Sequence, residues 1–423
     1  MTLYSKRPET ATAWPLILCL LGCCVVDTQE MYAANLTLEE ALAMADERNP
    51  RLRAGAAQIE AAKAGITTAR AYPNPAVSAA AGHQTYRVPG NVKGLVQSYT
   101  FAQPLELGQL RPTRIGLAER EREVTERSLD STRLGVLAAV RRAFYQAMRA
   151  QGEIDILGEN LRTVEEFRKR IQVRVDAGEA GRLELYRADA ELATARTAVT
   201  SARLRYVSAL AQLRGAIGSP LEADVRLSGG LDPPVKLPSL EELRKEVLAR
   251  HPELAVAQTA IRRAEARLTY ETAQRRPQPS LVAEVDRPPD SPTYRVGIEI
   301  PLPFWNRREG PIAEAAAQVR ATDALAQSRR IEVLAAAEGA YGRYELANEQ
   351  LLAYEQGLLR AGEEGLRAAE AAYRLGERGI LDVLDAQRVL RTVRLDFHNA
   401  QYDRQAALVD LDEARAINLR KIP

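Results

Sequence analysis

Two long segments of the chain repeat apolar or small residues at alternating steps of three and four positions. The first segment has Leu185, Ala188, Leu192, Ala195, Val199, Ala202, Tyr206, Ala209 and Leu213. The second has Val383, Ala386, Leu390, Val393, Phe397, Ala400, Ala407 and Leu411, with Arg404 as its one polar exception. A spacing of about 3.5 residues sustained over this length predicts coiled-coil packing. We therefore expect helices over 182–217 and 380–417, each packed on a long preceding helix, over 106–177 and 309–375.

Shorter segments alternate with a period of two. Tyr294, Val296, Ile298 and Ile300 alternate with Arg295, Gly297 and Glu299, and similar alternation occurs around Leu281 and Tyr99. This pattern predicts strands over 95–103, 280–287 and 293–302, with a weaker signal over 76–86. We expect the strands to pair as two hairpins, 76–103 and 280–302. Each strand is about as long as a transmembrane β-strand.

Four strands are too few to close a barrel, because the smallest barrels have about eight. Three copies of the chain would supply twelve strands, so we expect an oligomer to complete the barrel. The alternative is a pair of edge hairpins on a soluble domain. The sequence offers no further strands for such hairpins to join.

The whole pattern occurs twice. Leu38-Glu39-Glu40 and Asn49-Pro50 return as Leu240-Glu241-Glu242 and His251-Pro252, and the Gly-Glu-x-Gly turn at 178–181 returns at 376–379. A repeat of this length implies two similar halves rather than the short unit of a solenoid. We divide the chain into a first repeat, 35–217, a Pro- and Gly-rich linker, 218–238, a second repeat, 239–417, and a tail, 418–423. Each repeat opens with two short helices, over 36–72 and 239–275.

The amino terminus has the three regions of an export signal. Lys6 and Arg7 precede an apolar run, and small residues follow at Ala33-Ala34, so we expect a signal peptide over 1–34. All three cysteines of the chain, Cys19, Cys23 and Cys24, lie in it. Leu20-Leu21-Gly22-Cys23 resembles a lipoprotein cleavage box, so lipidation of Cys23 is the alternative to cleavage near Ala34.

Composition and motifs argue against several classes of function. The net charge of +2 does not indicate a nucleic-acid surface. His83, His251 and His398 are scattered without the spacing of metal ligands. No phosphate-binding loop, nucleophile motif or acid–base set is present. The sequence therefore predicts neither an enzyme nor a cofactor or metal site.

Three stretches resemble a known family. Residues 373–387, with a Gly turn followed by Asp382-Val383-Leu384-Asp385-Ala386, are similar to the periplasmic tip motif of TolC-type outer-membrane efflux channels. Residues 104–108 and 301–310 resemble the heavy-metal (CzcC-like) branch of that family. The branch often has Gly-Lys-Arg after the first stretch, whereas this chain has Gln109-Leu110-Arg111.

The resemblance implies a mainly α chain with a small β part. Three chains would form one 12-stranded outer-membrane β-barrel, continued by a long periplasmic α-helical barrel of coiled-coil helices. The homotrimer would lie in outer-membrane lipid and join an RND pump of the inner membrane through a periplasmic adaptor protein. It would export divalent heavy-metal cations of the cobalt, zinc and cadmium or the nickel and copper class. Alternatives are a multidrug, solvent or type I secretion channel of the same fold, or a periplasmic coiled-coil adaptor or scaffold.

The resemblance also assigns roles to residues. Asp382 and Asp385 match two acidic constriction rings, since three-fold symmetry turns each side chain into a ring of three. They are three residues apart and share one helix face, although acidic residues also simply favour helix starts. Tyr373 and Arg378 match positions that hold a closed state, with Glu184 as the acidic partner, so we expect a latch from Arg378 to Glu184.

Four glycines and two aromatic residues complete the candidate sites. Gly178, Gly181, Gly376 and Gly379 are expected to permit tight turns between helices and to present the tip to the adaptor. Phe304 and Trp305 follow the strand over 293–302 and fit the aromatic girdle of an outer-membrane barrel. A packed hydrophobic corner is the alternative for these two rings.

Overall fold

The computed structural model describes residues 35–85, 92–220, 225–231 and 234–417. The expected signal peptide with Cys23, the turn of the first strand hairpin at 86–91 and the tail at 418–423 lie outside the described residues.

The same order of elements occurs in both halves of the chain. The first half contains β1 (Asn35–Leu36), α1 (Leu38–Arg48), α2 (Pro50–Arg70), β2 (Ala76–Gln84), β3 (Gly94–Pro104), α3 (Leu110–Asp176) and α4 (Arg182–Ile217). The second contains β4 (Arg226–Leu227), α5 (Leu240–Arg250), α6 (Pro252–Ala273), β5 (Ser280–Arg287), β6 (Thr293–Glu299), α7 (Glu309–Ala353), a π-helical turn (Tyr354–Leu358), α8 (Leu359–Arg374) and α9 (Ile380–Ala414). The helices are long and the strands short, so the chain is mainly α with a small β part.

Matching side-chain caps start the short helices of both halves. The Thr37 hydroxyl accepts the N–H of Glu40 while the Glu40 carboxylate accepts the N–H of Thr37, and Ser239 and Glu242 do the same before α5. Such capping boxes satisfy N–H groups that have no partner inside the helix.

The four longer strands form one antiparallel sheet in the order β2-β3-β5-β6. Tyr99 lies opposite Val285 where the two hairpins meet, and β2 and β6 form the free edges. The hairpins predicted from the period of two are therefore present and adjacent. The last strand ends at Glu299 rather than at 302, because Pro301 and Pro303 have no N–H for a ladder. One pairing was not predicted: β1 and β4 form a short parallel ladder that ties the linker to the amino end of α1.

The long helices differ between the halves. α3 is unbroken over 67 residues, a length of roughly 100 Å. The predicted single helix over 309–375 is wrong, because the π-helical turn separates α7 from α8 and Gly357 departs from helical dihedral angles within it. A π-helical turn adds one residue to the helical ladder and locally disrupts its packing. Among the described residues, no helix has both the length and the apolar character needed to cross a membrane.

α3 is the central packing element of the chain. It contacts α4 along most of its length, α2 and α6 near the sheet, and α9 on the remaining side. The largest buried cluster surrounds Phe144 of α3, Leu42 of α1 and Leu213 of α4. A separate cluster of buried apolar residues, which includes Phe167 of α3, lies at the end of the long helices that is distant from the sheet. The chain therefore presents two long helical hairpins, α3/α4 and α8/α9, that meet far from the sheet.

Candidate functional site

The two helical hairpins turn at equivalent places, which we call the tip (residues 177–181 and 375–379). Gly178 and Gly376 have φ angles of 76° and 77°, the left-handed region that favours glycine. The N–H of Glu179 donates to the carbonyl of Arg174 at 2.8 Å, and the N–H of Glu377 donates to that of Ala372 at 2.9 Å. The N–H of Gly178 donates to the carbonyl of Val175 at 3.0 Å and that of Gly376 to the carbonyl of Tyr373 at 3.1 Å, which completes a Schellman motif at the end of α3 and of α8.

The other two glycines also lie in the turns, as expected, but do not need the conformational freedom of glycine. Gly181 and Gly379 have φ angles of −80° and −81° and precede α4 and α9 as N-cap residues. These are extended conformations that any residue adopts, so only one glycine of each turn is required by its backbone.

A small apolar core joins the two hairpins above the turns. Its buried members are Phe167, Ile171, Ala188, Ile380, Val383 and Leu384, with Tyr373 partly buried against them. The buried members come from α3, α4 and α9. Tyr373 comes from α8, and its side chain carries a hydroxyl group. The arrangement fixes the position of α9, and with it the side chains of the first turn of α9.

Tyr373 and Glu184 connect the hairpins directly. The Tyr373 hydroxyl donates to Oε2 of Glu184 at 2.8 Å, and the Arg174 guanidinium lies 4.9 Å from the centre of the tyrosine ring. Burial, followed by the bond to the carboxylate, raises the pKa of Tyr373 to about 12. The hydroxyl therefore stays protonated, as a donor, at neutral pH.

Arg378 has another partner than the one predicted. Its Nη1 lies 3.9 Å from Oδ1 of Asp382, and both side chains are largely exposed. The predicted ion pair of Arg378 with Glu184 is thus wrong within one chain. The reason is local: Arg378 and Asp382 are four residues apart at the start of α9, while Glu184 is bonded to Tyr373.

Asp382 and Asp385 lie on an exposed face of α9. Together with Arg187 of α4 and Arg388 of α9 they line an open groove of about 450 Å³ between the two helices. The predicted pair of carboxylates therefore does share one face. The groove also contains two arginines that the sequence analysis did not consider.

A cluster of ion pairs near the tip, built on the buried carboxylate of Glu191, was missed by the sequence analysis. Glu191 of α4 accepts hydrogen bonds from Arg388 and Arg391 of α9. Glu191 lies seven residues after Glu184, so the heptad spacing on α4 was a signal that could have found it. A charged residue inside a helix is ordinarily read as solvent-exposed, and that is why it was passed over.

The remaining candidates are separate from the tip. Phe304 and Trp305 lie just beyond β6, with their ring centres 6.2 Å apart, and Trp305 is 96% exposed. They do not form a packed corner within the chain. His83 is on β2, His251 caps α6, and His398 of α9 has Nε2 2.9 Å from the carbonyl oxygen of Arg149.

Long paired helical hairpins and a sheet with two open edges are typical of one subunit of an oligomeric channel. The model of the family described as "Outer membrane efflux protein" matches residues 41–219 and 243–416, and the chain belongs to this family. It is a transport component of the cell outer membrane that extends into the periplasm.

The chain is similar to several named proteins. It is 27% identical to the cobalt-zinc-cadmium resistance protein CzcC of Cupriavidus metallidurans, over 86% of each chain. It is 27% identical to the probable efflux pump outer membrane protein TtgC of Pseudomonas putida, over 81% of this chain and 75% of the relative. The crystal structure of CusC matches with a TM-score of 0.76 and 18% identity, over 89% of this chain and 91% of the other. That last likeness shows the fold.

Proposed function

We propose that this efflux protein is the outer-membrane channel of a tripartite RND-type system that exports divalent heavy-metal cations. The observation that carries the proposal is the similarity to CzcC, a cobalt-zinc-cadmium resistance protein, over 86% of both chains. The two exposed carboxylates Asp382 and Asp385 support it, because acidic rings favour cations in a pore.

The proposed assembly is a homotrimer. The edge strands β2 and β6 carry unpaired backbone groups, and Val77 and Val296 on them are exposed. Pairing β6 of one copy with β2 of the next satisfies these groups, and three copies close a ring of twelve strands. The aromatic rings of Phe304 and Trp305 would then contact lipid at the membrane interface. A periplasmic adaptor would dock at the tip turns around Gly178, Gly181, Gly376 and Gly379 and couple the channel to the pump.

The tip is the proposed gate. Tyr373 and Glu184 hold the two hairpins of one chain together, while the exposed Arg378 is placed to pair with a neighbouring copy. Asp382 and Asp385 would form the constriction. Exposed ion pairs contribute only about 0–1 kcal/mol each. Docking of an adaptor would therefore meet little resistance from the pairs made by Arg378.

Deletion of the gene in its native host tests the substrate. We expect lower tolerance to zinc, cobalt, cadmium, nickel or copper, unchanged tolerance to dyes and organic solvents, and full restoration by the intact chain. Loss of solvent and dye tolerance alone would contradict the proposal. It would support the second candidate, a drug or solvent channel, which the 27% identity to TtgC favours.

Measurement of native mass in detergent tests the assembly. Each chain has a mass of 46.6 kDa before any processing, so we expect a particle of about three times the processed mass in the outer-membrane fraction. A stable monomer in the soluble fraction would contradict both the trimer and the channel. It would favour a periplasmic adaptor or scaffold.

A further inference from the structure

We propose that Glu191 is a second lock of the tip, which holds α4 to α9 one heptad further from the turns than Tyr373 and Glu184 and holds them more firmly. This inference rests on the proposed function of the tip as a gate. The lock comprises Glu191, Arg388 and Arg391.

The geometry uses both oxygens of the carboxylate. Arg388 donates to Oε2 of Glu191 from Nε at 3.1 Å and from Nη2 at 2.7 Å, and Arg391 donates to Oε1 from Nη1 at 3.2 Å. The arginines are three residues apart on α9, so they lie on one face of that helix. Glu191 is only 4% exposed, whereas Arg388 is 56% exposed. The carboxylate is thus buried and fully bonded while one of its partners extends to the surface.

The lock joins the two helical hairpins, which separate when the proposed gate opens. α4 belongs to one hairpin and α9 to the other, so separating the hairpins breaks every bond to Glu191. The ion pair of Arg196 with Glu165, by contrast, joins α4 to α3 within one hairpin and moves with it. The salt bridge of Arg378 with Asp382 lies within α9 and its preceding turn, and therefore does not resist separation.

Burial makes this lock stronger than the other polar contacts between the hairpins near the tip. Tyr373 and Glu184 share one hydrogen bond, and Arg394 of α9 lies 3.7 Å from an exposed Glu159 of α3. A buried carboxylate that loses its partners must regain water or stay unpaired, which is far more costly than breaking an exposed pair. Opening at the level of Glu191 therefore requires either entry of water or a new partner for the carboxylate.

Arg388 also links the lock to the carboxylates of the groove. It lines the same groove as Asp382 and Asp385. The bonds to Glu191 raise the pKa of Arg388, and the charge of Asp385 adds to this effect. Arg388 therefore joins the buried carboxylate of Glu191 to the exposed groove that Asp382 and Asp385 line.

Conductance of the purified channel in planar lipid bilayers tests the proposal. We expect Glu191→Gln to raise the open probability about tenfold or more, because it removes the charge from the buried side of the lock. Glu165→Gln is the matched control, and it should stay within about twofold of the wild type because its pair is exposed and lies within one hairpin. Glu191→Asp, which restores the charge, should return most of the closed state.

Oligomer mass and thermal unfolding of the same samples separate a lock from a purely structural role. A lower melting temperature of Glu191→Gln with unchanged open probability would overturn the inference. If Glu191→Gln does not assemble, the double substitution Arg388→Gln with Arg391→Gln removes the same bonds from α9. An open probability equal to that of the wild type in this double variant would also overturn the inference.

A raised open probability of Tyr373→Phe beside an unchanged open probability of Glu191→Gln would reject the lock but keep the gate. Absence of any channel activity in the wild type would reject the proposed function itself.

Discussion

Asn49 and His251 occupy the same place in the two halves of the chain and cap a helix in the same way. Oδ1 of Asn49 accepts the N–H of Arg51 at 2.9 Å, and Nδ1 of His251 accepts the N–H of Glu253 at 3.3 Å. A proline follows each residue at the first position of its helix. The chain thus has two equivalent caps, of which only the one in the second half can take up a proton.

Protonation of His251 is expected to weaken the second half at acidic pH. Burial lowers the pKa of His251 below its ordinary value of 6.5, although the charge of Glu253 opposes this. The unfolded chain therefore binds the proton more readily than the folded chain. The stability that the neutral cap provides is present above pH 6.5 and is lost as the pH falls through the lower, folded-state pKa.

His251→Asn tests this expectation by copying the cap of the first half. Because asparagine accepts the same N–H without titrating, the variant should lose less stability than the wild type as the pH falls from neutral to pH 5. Thermal unfolding across this pH range measures the difference. His83→Asn, on an exposed strand position, is the control and should keep the pH dependence of the wild type. Equal pH dependence in His251→Asn and the wild type would contradict the assignment.

Much of the fold was predictable from the sequence because each element has a clear period. The step of three and four along Leu185 to Leu213 predicted α4, and the alternation around Tyr294 predicted β6. The break at Gly357 was not predictable. No proline marks it, and a π-helical turn depends on the packing of the whole helix rather than on its own five residues.

The site was predictable where one helix supplies all of it, and where the family resemblance supplied both partners, as for Tyr373 and Glu184. Asp382 and Asp385 share a face because of their spacing, whereas the partner of Glu191 depends on how α9 lies against α4. The expected pair of Arg378 with Glu184 was wrong within one chain for the same reason. Sequence spacing gives neighbours on one helix, but the register between two hairpins is fixed only by their packing.

Gly376→Ala is expected to destabilise the tip, whereas Gly379→Ala is not. Gly376 has a φ angle of 77°, where a side chain costs about 1–2 kcal/mol, and Gly379 has a φ angle of −81°. Hydrogen exchange of the amides around residues 372–380 measures the local effect. Faster exchange in Gly376→Ala alone is the expected result. Similar exchange in both variants would show that the left-handed conformation is not what stabilises the turn.

Tyr373→Phe is expected to weaken the latch while keeping the aromatic packing. The variant loses only the hydroxyl that donates to Glu184, and the ring remains beside Phe167. Removing one hydrogen bond to a charged group corresponds to about 1.5–3 kcal/mol, so the open probability in bilayers should rise about tenfold or more. Tyr186→Phe, at an exposed position, is the control and should keep the open probability of the wild type. An open probability equal to that of the wild type would reject the latch.

The ionisation of Tyr373 provides an independent measurement of its surroundings, because burial and then the bond to Glu184 raise its pKa. Because the folded-state pKa is raised from 10 to about 12, the stabilisation is present below pH 10 and is lost as the pH rises towards 12. Ultraviolet titration of the wild type and of Tyr373→Phe should differ by one tyrosine that ionises in this range. A difference that appears near pH 10 would show that the hydroxyl is not held by Glu184.

Asp382→Asn with Asp385→Asn is expected to reduce the preference of the channel for cations. In a three-fold assembly these positions contribute six carboxylates around the axis, and neutral amides leave only weak dipoles there. We expect the potassium-to-chloride permeability ratio, obtained from the reversal potential in a salt gradient, to fall several-fold. We also expect block of the potassium current by cobalt or zinc ions to require higher concentrations. Glu364→Gln, at an exposed carboxylate on α8 paired with Arg360, is the matched control and should leave both measurements unchanged.

A reversal potential unaffected by the double substitution would mean that these carboxylates face away from the pore. The groove that they share with Arg187 and Arg388 would then be a contact between hairpins rather than a path for ions.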